Sequence, residues 1–600
     1  MAKRAYPDVP NFRYDWSALS ESQIQAALDK VAGEGPPCAS GLDLGLAGNT
    51  MQLVTDKGTT GVPGPSLSYR FLTGNRLQLS ENGGNSVNCG YGALNLGPVT
   101  FFAHLIPGTL KGYAVAVNND TGTATVIELW FAGYQPRKRE VMREIYQGYV
   151  FRKGAALPAE RHKFTNRTEG KAFYWRQDTG AETLEYYPTI AYGHWVELTR
   201  MDRKQGYSAP CDYIDIDEAL HIYTRTECEF SGIFTTYVMD VNNAKQVGLR
   251  LGFNAADELE FYVFRGTGEW LGQIAKFETF GNTDGGPMLP RPGPGQSADV
   301  SPTAKGARAV YRPLATMPKM TRAEVDAAVA KSTSVFAPRS AAGGAAGMAG
   351  NSLATSPRLA GRNATIRYDN GPVMEYQFVS NDELKWRRNG EGDWITGRYN
   401  AWEPMPNVFF FAHALEGTKD HEGHIVVADW EHGKATCYNG YLNTPYFANE
   451  AGCRTLFGKI EAAGVPDAGV DRHGFTEEML GRCITYNYTK GLTSMHLYST
   501  PQTTSWIIFT PDQAGGLEWC GSGAQVKIRD GLYFLYWIEE ACNGTLGTIL
   551  INLRTMHDAG IGYYCGPNGL SISNIGALIR HAGRFDVAKY FQQRTEESGQ

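Results

Sequence analysis

The chain repeats itself, and the repeat limits the folds open to it. LAGN at 46–49 returns as LAGR at 359–362, and Asp56-Lys57-Gly58 returns as Asp369-Asn370-Gly371. Leu67-Ser68-Tyr69-Arg70-Phe71 returns as Met374-Glu375-Tyr376-Gln377-Phe378, and FFAH at 101–104 returns at 410–413. A second series pairs residues 136–295 with 446–595 at a constant offset of 312. It sets Tyr174 on Tyr486, Tyr186 on Tyr498, Leu220 on Leu532, Glu227 on Glu539 and Gly232 on Gly544. Two independent series in the same order mean that a two-unit block was duplicated.

Each unit reads as antiparallel β. Between Gly481 and Gly547 the runs ITYNY, SWIIF and LYFLYWIE alternate apolar and polar residues, as half-buried strands do. Turn formers separate them at Lys490-Gly491, Gly515-Gly516 and Asn543-Gly544. The expected fold is all-β, with four tandem antiparallel barrels and a few short helices. A closed barrel has no exposed strand edge, and about eight strands leave room for one small ligand. The expected division is a helical arm over 1–37, barrel one over 38–135, barrel two over 136–286, a flexible linker over 287–357, barrel three over 358–445 and barrel four over 446–600. The linker is rich in Pro, Gly, Ala and Ser, which cannot bury enough surface to order itself. Two helices are expected: SALSESQIQAALDKVAG, capped by Ser17 or Ser20, and TRAEVDAAVAKS, with a Thr321/Glu324 capping box.

Composition removes several functional classes. At 600 residues the chain exceeds what a single core supports. A net charge of −6 offers nucleic acid or an anionic membrane no basic partner. No apolar run approaches the roughly 20 residues that span a bilayer, and MAKRAYPDVPNFRYDW lacks a signal core. The expectation is a soluble cytoplasmic protein. Ten cysteines without a CxxC motif indicate neither a zinc ribbon nor a disulfide framework.

Tyr486 and Tyr488 lie two apart on one strand and so share a face. Glu539 ends the apolar run LYFLYWIE, where a carboxylate has to be paired, at an edge or functional. Tyr486-Asn487-Tyr488, Trp537-Ile538-Glu539 and Gly544-Thr545 resemble the motifs of the phenolic acid decarboxylase barrel, including a tyrosine-to-glutamate separation of 53 residues. The whole C-terminal half resembles the MoaF-like family, whose name refers to molybdenum cofactor biosynthesis and whose members join two lipocalin-like (calycin) barrels. The decarboxylase resemblance implies that the tyrosines grip the substrate and the glutamate moves a proton, with no metal or cofactor. A carboxyl lodged among rings has its pKa raised, which suits proton transfer near neutrality.

The family also has an arginine in a Gly-Arg-Trp motif. Barrel four has Gly515-Gly516-Leu517-Glu518-Trp519 there, without a base, so a neutral phenolic substrate fits better. Trp519 and Trp537 are its expected ring walls. Barrel two keeps Tyr174 and Glu227, replaces the second tyrosine by Arg176, and has Lys204 where the arginine falls. Barrel three has Gly397-Arg398-Tyr399, Tyr368 on its first strand and His413 in an apolar strand. An Arg/Tyr/His set can bind an anion and move a proton, although a satisfied core histidine is the simpler reading of His413. Its repeat partner His104 sits in barrel one, which looks like a scaffold. His421, His424 and His432 lie on a strand–turn–strand segment, where residues three apart face opposite sides, so no metal is expected. The resemblance as a whole implies a cofactor-independent lyase for a small aromatic molecule. The alternatives are an isomerase or cyclase, and a non-catalytic lipocalin-type carrier. The two halves either face each other in one chain or pair between chains as a homodimer.

Overall fold

The computed structural model describes residues 19–592 except 60, 133–138, 166, 190–191, 200–205, 228–230, 255, 276–318, 333–347, 490–491, 509–517 and 541–543. Lys204 lies outside the described residues, as does most of the expected linker.

The chain forms four antiparallel rings. Barrel one runs from Thr50–Thr55 to Val141–Val150, and the last strand returns to the first by pairing Leu53 with Val150 and Thr55 with Gly148. Barrel two runs from Lys171–Gln177 to Leu259–Gln273, which closes on the first strand. Barrel three runs from Asn363–Tyr368 to Gly452–Glu461. Barrel four runs from Arg482–Thr489 to Leu578–Arg584. The long closing strand of barrel two is split in barrel four: Gly569–Ile575 pairs with His557–Gly566, and Leu578–Arg584 completes the ring. The expected boundaries at 135/136 and 445/446 shift. Val141–Val150 and Gly452–Glu461 pair backwards and close barrels one and three.

The outer faces are buried as well. Ile127 and Leu129 of barrel one pack against Val247 and Leu249 of barrel two, under the helix Glu21–Ala32. Phe410 and Val427 of barrel three pack against Phe534 and Leu550 of barrel four, beside the helix Arg322–Ala330. The halves meet where Leu184 and Val196 of barrel two face Met495 and Ile507 of barrel four. LYFLYWIE, expected as a half-buried alternating strand, is instead buried on both faces, and strands apolar on both faces read as near-continuous apolar runs. Both helices carry capping boxes, Ser20 with Gln23 and Thr321 with Glu324.

The constant offset of 312 fails in one place. Ala172 and Leu184 face the seam between the halves, as do Cys483 and Met495, so the first strands correspond at 311. The connection after Glu197 is one residue shorter than that after Ile508, which restores 312 downstream. A one-residue slip moves a strand residue to the opposite face.

Candidate functional site in barrel four

The interior of barrel four is a cage of rings. Ile484, Tyr486 and Tyr488 alternate inward on the first strand, and Tyr498, Trp506, Trp519, Tyr533 and Trp537 complete the wall. Tyr486 is fully buried, and its hydroxyl shares a 2.6 Å hydrogen bond with that of Tyr498. Its ring lies 4.2 Å from the His496 ring and stacks on Tyr488 at 6.2 Å. Burial lowers the His496 imidazole to about 3, so it is neutral at physiological pH. The Trp537 ring stands edge-on to His496 at 5.0 Å, and its Nε1 donates to Glu539 Oε1 at 3.1 Å. Glu539 is half-buried at the end of the strand, on the same inward face as Trp537.

A second carboxyl lies deeper. Asp558 opens the strand His557–Gly566 on the face opposite Ala559 and Ile561, which pack outward. It therefore faces the ring interior that Tyr486, Tyr488 and Tyr498 line. Its Oδ1 accepts from the Ala577 backbone N–H, and burial pushes the carboxyl up to about 7. Among the described residues, Asp558 Oδ2, His496 Nδ1 and Trp506 Nε1 have no hydrogen-bond partner. Buried polar atoms are rarely left unsatisfied, and here three of them border one aromatic chamber. Asp558 and His496 were missed in the sequence. His496 and Tyr498 do stand two apart on a strand, a readable signal. Asp558 has none, because HDAGIG reads as a turn.

The same loop ends both site strands. Glu539 N–H donates to Thr545 and Gly544 N–H to Glu539; in barrel two Glu227 and Gly232 repeat the bonds. Gly544 and Gly232 adopt φ of +73° and +76°, where glycine alone is unstrained.

Barrel two does not reproduce the site. Tyr174 sits on the outward face because of the register slip and stacks on Tyr590 at 4.7 Å. Glu227 is buried, but Arg250 Nη1 donates to it at 2.7 Å and Ser231 Oγ at 2.7 Å. Burial would raise this carboxyl, yet Arg250 and Arg225 outweigh burial and hold it below its usual range. It stays ionised, which is wrong for a group that must exchange protons near neutrality. Arg176 is exposed and pairs with Glu182 at 3.2 Å. Inside, Arg225 Nη1 donates to both Glu185 oxygens at 2.7 and 2.6 Å.

Barrel three differs again. Arg398 is 60% exposed and ion-paired with Asp382, so it is no part of the interior. Tyr368 is buried inside. His413 is a satisfied core histidine, with Nδ1 donating to the Ala414 carbonyl at 2.9 Å. In barrel one, His104 bonds the Tyr69 hydroxyl at 3.2 Å. His421 pairs with Asp326 and His432 with Asp429. Among the described residues, no three His, Cys, Asp or Glu side chains are placed to hold a metal ion.

Four antiparallel rings in tandem, with polar groups enclosed by aromatic walls, define a duplicated small-barrel protein. Residues 343–444 match the MoaF N-terminal domain and residues 473–582 the MoaF C-terminal domain, so the second half of the chain is similar to the MoaF family. No curated protein matches the chain. A crystal structure of a DUF3598-family protein of unknown function from Nostoc punctiforme is similar at 13% identity. It covers 42% of this chain and all of that one, with a TM-score of 0.21, too distant to carry an argument.

Proposed function

We propose that barrel four is a cofactor-independent acid–base site, a lyase for a small, neutral, phenolic molecule. The observation that carries this is Asp558. It is a carboxyl raised to about 7, with an oxygen unpartnered among the described residues, and it shares a chamber with three tyrosines and a neutral histidine. A group whose pKa lies near ambient pH can both give and take a proton. In this reading the Tyr486–Tyr498 hydroxyl pair holds the phenolic oxygen. The Asp558 carboxylate takes the phenolic proton as the bond to a benzylic substituent breaks. The electron pair of that bond leaves with the substituent, and Asp558 returns the proton to it, so the products are a quinone methide and the protonated leaving group. Glu539, tethered by Trp537, serves the rim. Cys89, Cys211, Cys437 and Cys483 are buried reduced thiols, which supports a cytoplasmic setting. No helix of the described residues is long and apolar enough to cross a membrane.

The test is turnover of the full chain on a panel of hydroxycinnamates and neutral phenols. Asp558→Asn is expected to lose at least about 100-fold in kcat, with Glu539→Gln also impaired and Glu227→Gln unaffected. Wild-type turnover in both Asp558→Asn and Glu539→Gln would end this reading. Phenol binding without turnover by the wild type would make barrel four a carrier.

A further inference from the structure

Barrel three encloses a hydrogen-bond chain whose donors and acceptors can be assigned from one end. The Ala414 carbonyl can only accept, so His413 Nδ1 carries its proton and donates at 2.9 Å. Burial lowers the His413 imidazole to about 4, so it is neutral and its Nε2 is a bare acceptor. The Tyr376 hydroxyl, 3.4 Å away, donates to that nitrogen. The Tyr376 oxygen is then free to accept, and it lies 3.1 Å from His424 Nδ1. His424 Nδ1 therefore carries the proton. His424 is fully buried and held neutral by burial, helped by His413 and Arg388. Its Nε2 is left with a lone pair and no partner.

His424 Nε2 is not alone. Asn439, the cross-strand neighbour of His424, is 5% exposed, and its Oδ1 has no partner either. Arg388 Nη2 donates to Glu422 at 2.7 Å, but Arg388 Nε is unpartnered. These residues belong to the end of the barrel where Glu383–Arg388, Val408–Ala414 and Lys434–Tyr441 finish. Every residue of that ring is described. Aromatic rings form the floor: Phe378, Trp386 and Phe411 line the same interior. Barrel one has the same Tyr69–His104 bond, but Tyr113 stands where barrel three has His424, so His424 Nε2 has no counterpart in barrel one.

We propose that barrel three is a second small-molecule site, independent of barrel four, for a neutral hydroxyl-bearing ring whose O–H donates to His424 Nε2. Asn439 Oδ1 accepts from a second hydroxyl, whose oxygen accepts from Arg388 Nε. The aromatic floor takes the ring face. A site built to bond a hydroxyl rejects the analogue that lacks it, because its own buried acceptor is then left bare.

The test uses full-length protein with histidine labelled with ¹⁵N, and phenol, catechol and anisole as probes. Phenol and catechol are expected to shift the His424 Nε2 resonance, in wild type and in Tyr486→Phe alike, while anisole does not. Calorimetry is expected to show catechol binding lost by tenfold or more in His424→Leu, with catechol tighter than phenol in wild type. An unmoved His424 resonance at saturating catechol in wild-type protein would overturn the proposal. So would an equal shift with anisole. The resonance readout needs no barrel-three variant, so a misfolded His424→Leu cannot decide the outcome, and Tyr486→Phe separates it from barrel four.

Discussion

At the scale of single residues, barrel four spends buried hydroxyls on each other. Tyr486 and Tyr498 satisfy one another, so removing one oxygen leaves the other bare in a dry interior. Tyr486→Phe is expected to cost about 1 kcal/mol of unfolding free energy, measured by urea denaturation, with Tyr498→Phe costing as much. The double variant should cost less than the two singles combined, since it removes both ends of one bond. Tyr486, Tyr488 and Glu539 were legible because alternation along a strand assigns side chains to faces without tertiary information. Tyr174 and Glu227 were misread for two different physical reasons. A single residue of loop length reversed the facing of Tyr174. The ion pair that neutralises Glu227 comes from Arg250, on a strand that no spacing rule connects to it. Asp558 stayed hidden because its neighbours carry the turn-forming character of a strand start.

Elements show what local signals can settle. The helix Arg322–Ala330 was readable from its cap: Thr321 Oγ1 accepts from the Glu324 N–H at 3.3 Å, and the Glu324 carboxylate accepts from the Thr321 N–H at 2.7 Å. The helix buries Val325 and Ala328 against barrels three and four, and Ser332 Oγ accepts from the Leu570 N–H at 2.9 Å. Thr321→Ala is expected to lower unfolding free energy by about 1 kcal/mol and to speed amide exchange in that helix. Unchanged protection there would show that packing alone holds it. The barrel boundaries were less readable. A closing strand follows its predecessor without a break in pattern, and only its backward pairing with the first strand assigns it to a ring. The duplication was readable because both copies keep the order of their turns and strands. The one-residue indel fell in a connection, where length is tolerated.

Across the whole molecule, buried ionisable groups oppose each other in their effect on stability. Asp558, Glu518 and Glu540 are raised by burial to about 7, 8 and 8. The folded state keeps protons there that the unfolded chain has already lost. Their contribution is present below the unfolded carboxyl pKa and disappears as pH climbs to about 8. Burial lowers His104, His162, His194, His413, His424, His473 and His496 below the ordinary imidazole value. There the unfolded chain binds protons that the folded state refuses, so stability is lost as pH falls below about 6.5. The histidines outnumber the carboxyls below that value, and above it only the carboxyls titrate. Melting temperature should therefore peak near pH 6.5. Glu518 tests the alkaline limb best, since it lies in the seam between the halves. It accepts from Ser208 of barrel two and Ser505 of barrel four, both at 3.0 Å. Ionising it charges a dry contact that joins the two copies. Glu518→Gln should recover about 2 kcal/mol of the decline between pH 6.5 and 8.5, seen by calorimetry as a flatter alkaline limb. A variant that melts in parallel with wild type across that range would show that Glu518 is not what weakens the seam.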